Sequence, residues 1–122
     1  WNNLPEQDAF LESMAASAQS VADYFGDNIL YINVMNNLSI DCDCDSNPHD
    51  PEMKDIGILA STDPVALDQA CLDLVYAVKP TEGNDNRPLV NRIESLHGRH
   101  TVDYAETIGL GSKNYELVVL DT

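Results

Sequence analysis

Ile56-Gly57-Ile58-Leu59-Ala60-Ser61-Thr62-Asp63-Pro64 decides the fold, because it ends a strand and starts a helix in one short stretch. Its first five residues are apolar or glycine and read as a short strand buried on both faces. Thr62-Asp63-Pro64 is a helix-start signal. Asp63 can accept hydrogen bonds from the first free backbone N–H groups, and proline at the first helical position has no N–H to leave unpaired. The helix runs to about Val78, with Leu67, Ala70, Cys71, Leu74, Val75 and Val78 on one stripe, which makes Cys71 a small core residue.

Upstream, Ile29 to Met35 is a β-branched and apolar run of strand length. Before it, Phe10, Met14, Ala18, Val21, Ala22 and Phe25 recur at helical spacing, with Asp8 as the expected N-cap and Gly26 as the stop. Downstream, Lys79-Pro80 closes the central helix and Thr81 to Arg87 reads as an exposed loop. Pro88 opens a short helix through Leu96, Thr101 or Asp103 begins another to Ile108, and Tyr115 to Leu120 reads as a last strand. The fold class is therefore α/β or α+β, a small mixed β-sheet flanked by helices. Three strands are few for a free-standing sheet, so strands from elsewhere in a longer chain are expected to complete it, and this chain alone is expected to expose an apolar edge or face and either to self-associate or to be less stable than the longer protein.

The loop between the first two strands carries the chemistry. Asp41-Cys42-Asp43-Cys44-Asp45 sets two thiols among three carboxylates, and the loop continues through His49, Asp50 and Glu52 to Asp55. Packing has no use for such a concentration of ligands. Cys42 and Cys44 read as thiolate ligands of a metal ion, with Asp41, Asp43 or Asp55, or an imidazole of His97 or His100, completing the shell. Zinc or iron suits these donors better than calcium. Asp41, Asp43, Asp45 and Glu52 do stand at EF-hand spacing, but Ser46 replaces the turn glycine and two prolines interrupt the loop. Asp63 is accounted for as a helix cap, whereas Asp55 either bonds loop amides or faces the metal loop.

Twenty-one acidic against six basic residues give a formal charge of −15, which opposes binding to nucleic acid and to anionic membrane surfaces. No apolar run approaches the roughly 18 residues of a membrane span. The opening Trp1-Asn2-Asn3-Leu4-Pro5 shows neither a signal peptide nor a start methionine, so the chain reads as a segment of a longer protein. Three cysteines, two of them one residue apart, argue against a disulfide scaffold and for a reducing, cytoplasmic setting. No G-x-S-x-G elbow is present, and no residue can be assigned to catalysis.

Three blocks carry a family resemblance: Tyr31 to Asn37 leading into Asp41-Cys42-Asp43-Cys44, Asp55 to Ala70, and Tyr104-Ala105-Glu106 with Leu110 to Leu117. Together they resemble the iron-sulphur-centre proteins of domain-of-unknown-function family 362. That resemblance implies a ferredoxin-like module with tetracysteine motifs upstream. With no CxxCxxC motif in this chain, an iron-sulphur cluster is expected only in that upstream segment, and residues 1–122 are expected to be a single domain or the C-terminal part of a larger iron-sulphur-associated domain. The expected role is a metal-binding or redox-associated domain that works beside the ferredoxin-like module. The alternative is a non-catalytic acidic interaction domain in which any ion is structural.

Overall fold

Tyr31–Met35 (β1) and Gly57–Ser61 (β2) pair antiparallel, with Ile32 opposite Ala60 and Val34 opposite Ile58. In this computed structural model, which describes residues 6–42 and 44–120, the acidic loop joins the two strands. Around the pair stand Gln7–Phe25 (α1), Pro64–Ala77 (α2), Arg87–Ser95 (α3) and Gly98–Thr107 (α4). The architecture is α+β, and its sheet is antiparallel rather than mixed.

The central helix forms as its sequence dictates. Asp63 Oδ1 accepts hydrogen bonds from Val65 N at 2.9 Å and Ala66 N at 3.0 Å, and Pro64 occupies the first turn. Val65, Leu67, Ala70 and Val75 are buried. Alternate strand residues Tyr31, Asn33 and Met35 lie on the more buried face of β1. Two apolar clusters meet on α2. One holds Ala15, Val65, Val102 and Ala105 from α1, α2 and α4; the other holds Met35, Met53 and Val75, bringing together β1, the acidic loop and α2.

Six expectations need correction. Tyr115 to Leu120 forms no strand: among the described residues it pairs with no other segment, and it is exposed. A strand needs a neighbour to satisfy its backbone, and both edges of the two-stranded sheet are open here. The β2 strand is not buried on both faces, since Ile58 is 71% exposed. Among the described residues, α2 packs on one face of the sheet and the other face is left open.

On α1 the large stripe Phe10, Met14, Val21 and Phe25 is exposed, and Leu11 and Ala15 are the buried residues. Small Ala15, 2% exposed, lets α1 and α4 approach closely, while Gln7 Nε2 and Gln19 Nε2 donate to Leu96 O and Ile108 O near its two ends. The N-cap of α1 is Glu6, not Asp8, and α4 begins at Gly98 rather than at Thr101 or Asp103. Lastly, the 81–87 loop is not wholly exposed. Asn86 is buried, with its amide donating to Val75 O at 2.8 Å.

Candidate functional site

The acidic loop is closed at its neck. Ser39 Oγ donates to His49 O at 2.7 Å, and Asp41 Oδ2 accepts from His49 N at 3.0 Å and pairs with His49 Nδ1. Arg92 of α3 reaches Asp41 Oδ1 at 3.6 Å. The imidazole lowers the Asp41 pKa, and the carboxylate raises that of His49. Asp41 and His49 thus spend their charge on each other. Beyond the neck, Asp45 N donates to Cys42 O at 2.9 Å and Cys44 N donates to Cys42 Sγ at 3.3 Å.

Both thiols are exposed and neither is in a disulfide. The far end of the loop is stitched to the turn before α3. Lys54 N donates to Asn84 Oδ1 at 2.9 Å, Asp85 N donates to Glu52 O at 2.8 Å, and Met53 is buried.

The other candidate ligands lie elsewhere or outside the described residues. Asp43 falls outside the described residues. Asp55 Oδ1 accepts from Asn37 N at 2.9 Å, where the chain leaves β1 with a positive φ of 49°. That bond gives Asp55 a turn-holding role. His97 Nδ1 lies 2.7 Å from Asp8 Oδ1 and His100 Nε2 lies 2.9 Å from Glu12 Oε1, so both imidazoles face α1. Among the described residues, no group of three or more His, Cys, Asp or Glu side chains is placed to hold a metal ion. Asp63 is fully engaged as well: beyond its cap bonds, its Oδ2 accepts from Ser112 N at 2.9 Å.

Cys71 stands apart from the loop. It is half-buried on α2 and accepts a hydrogen bond from Asn33 Nδ2 at 3.4 Å, and burial raises its pKa. It packs, partly buried, against the Met35, Met53 and Val75 cluster, on the stripe where the helical spacing put it. His49 is exposed, and its partner was not legible in the sequence. Its pairing with Asp41 across eight positions has no periodic signature, and only the closed loop brings them together.

The histidine contacts predict a pH dependence. Glu12 raises the pKa of His100, so this pair stabilises the fold fully below the unfolded value of about 6.5 and loses its contribution as pH rises through the folded value. His49 has the same sign through Asp41. The melting temperature should therefore fall between about pH 6 and pH 8, and His100→Gln should flatten the fall, leaving the part due to His49. An unchanged slope in thermal melts of His100→Gln would show that the α1–α4 ion pair adds nothing.

The family described as a domain of unknown function, DUF362, matches residues 1–73. The match spans the acidic loop with Cys42 and Cys44, Asp55 and Asp63, and ends before His97 and His100. No curated protein and no solved structure matches the chain significantly.

Proposed function

The chain belongs to the DUF362 family of domains of unknown function, and from that premise we propose a metal-binding or redox-associated domain that works through the thiols of Cys42 and Cys44. The observation that carries this reading is the turn at the loop tip, which exposes both thiols and directs Cys44 N–H at Cys42 Sγ. A zinc or iron ion would take the two thiolates, with an oxygen or imidazole donor from the neighbouring loop or from a partner. The two thiols could equally pass electrons as a dithiol in a reducing compartment such as the cytoplasm.

An iron-sulphur cluster does not fit these residues. It needs four thiolates as a rule, whereas this chain has three cysteines and Cys71 is committed to the core. In this reading a cluster belongs to a ferredoxin-like partner module, and the CxC loop works next to it. Neither nucleic acid nor a membrane is a partner, in keeping with the acidic charge. Among the described residues, no helix is long and apolar enough to cross a membrane.

A second reading rests on the charge of −15 together with the lack of a three-ligand group among the described residues. It makes the loop an acidic docking surface for a basic partner. Elemental analysis of protein purified without chelator, followed by zinc titration, separates the two. The thiol reading expects stoichiometric metal or tight zinc uptake, abolished in the Cys42→Ser, Cys44→Ser double variant. Because both side chains lie outside the core, that variant should keep its stability within about 0.5 kcal/mol. A wild-type chain that takes up no metal and shows no thiol-dependent redox change would overturn the thiol reading in favour of docking.

A further inference from the structure

The outward face of the β1–β2 sheet and the segment Leu117-Val118-Val119-Leu120 lack complementary things. Ile32 and Val34 on β1 and Ile58 on β2 are more than half exposed and form one apolar strip through the pairs Ile32–Ala60 and Val34–Ile58. Both edges of the sheet are open among the described residues. The 117–120 segment belongs to no helix or strand, is rich in β-branched and apolar residues, and is as much as 84% exposed at Leu120. None of its backbone groups is hydrogen-bonded among the described residues. Its root is held on α2, where Tyr115 OH donates to Asp73 Oδ2 at 2.7 Å and Ser112 N donates to Asp63 Oδ2.

We propose that the 117–120 segment of one copy adds as a third strand to an open edge of the β1–β2 sheet of a second copy, reciprocally, in a twofold dimer. Charge argues for a second copy. A basic partner would be drawn to acidic side chains, yet residues 31–35, 57–61 and 117–120 contain no charged residue, on a chain of formal charge −15. Two copies that repel each other almost everywhere can approach only through such a neutral surface. Size argues for the exchanged strand. Three large side chains on the sheet face make a small interface. With the two segment side chains that alternate onto the same face, the apolar surface rises to roughly 400 Å² per copy at about 60–120 Å² per side chain. Main-chain pairing then carries the total past the roughly 1,000 Å² of a specific interface.

Light scattering and sedimentation of the chain at low and high salt test this. The expected result is a dimer whose association constant rises several-fold from about 0.05 to 0.5 M NaCl as like-charge repulsion is screened. Val118→Pro with Leu120→Pro removes two strand donors from an exposed segment and should give a folded monomer. Val34→Gln with Ile58→Gln, on the exposed face, should do the same while leaving circular dichroism unchanged. Mixing the two variants should restore a heterodimer, because one still supplies an intact sheet and the other an intact segment. A monomeric wild-type chain would overturn the proposal. So would a proline variant that still dimerises, which would mean face-to-face packing of the sheets, or two monomeric variants that fail to complement.

Discussion

Gly111→Ala should lower stability by about 3 kcal/mol, close to the cost of Asp63→Ala, and the two substitutions together should cost no more than either alone. The reason is a single close approach. A Cβ on residue 111 would lie 2.0 Å from Asp63 Oδ1 and 2.7 Å from its Cγ. Asp63 cannot swing away cheaply, because one oxygen caps α2 through Val65 N and Ala66 N and the other accepts from Ser112 N. A displaced carboxylate forfeits the cap, worth about 1 kcal/mol, and a charge-assisted bond worth about 2 kcal/mol. At roughly 4 °C per kcal/mol for a chain of this size, each variant should melt about 12 °C lower. Additive losses in urea unfolding would show that Gly111 and Asp63 act independently.

The second large effect belongs to Asn86. This buried amide donates to Val75 O near the end of α2, and its backbone carbonyl accepts from Val90 N at the start of α3. Asn86→Ala removes the shorter of two bonds to Val75 O, the other coming from Val78 N at 3.4 Å, and empties a buried polar position, which together should cost about 2 kcal/mol. Asn86→Asp is expected to cost more, about 3 kcal/mol near neutral pH, because it sets an ionised acceptor against that carbonyl. The aspartate variant should regain part of the loss below about pH 4, where a protonated carboxyl can donate. A loss from Asn86→Asp that does not change with pH would mean that the side chain leaves the pocket and the contact is not made.

The signals that could be read in advance are those written in adjacent residues. Asp63-Pro64 announces its helix because a cap and a first-turn proline are local chemistry, and the α2 stripe follows because that helix is covered on several sides. The α1 stripe misled for the opposite reason. Periodicity reports that a helix has an apolar face, and Phe10, Met14 and Val21 have one, but which face meets a neighbour depends on the small Ala15 facing α4. Tyr115 to Leu120 has every local mark of a strand, yet strand formation is a property of two segments.

The same distinction governs the candidate site. The CxC loop is visible as a contiguous cluster, whereas the placement of His97 and His100 against α1, and of Asp55 on the Asn37 turn, depends on contacts across 88, 89 and 18 positions. Spacing alone carries no record of those distances.

The closed neck of the acidic loop also bears on how this loop can vary. Ser39 and Asp41 clasp His49, so residues between the clasp points form a ring whose ends are fixed independently of what lies between them. Lengthening a flexible ring adds little: doubling its length costs only about 0.6 kcal/mol in closure entropy. Residues 45–47, at its exposed tip, are therefore insulated from the pairing of Met35 with Gly57. Insertions there change what the tip offers to a visitor without shifting a single pair in the strand ladder, which makes this loop the place where relatives can diverge in partner or ligand while keeping the same scaffold.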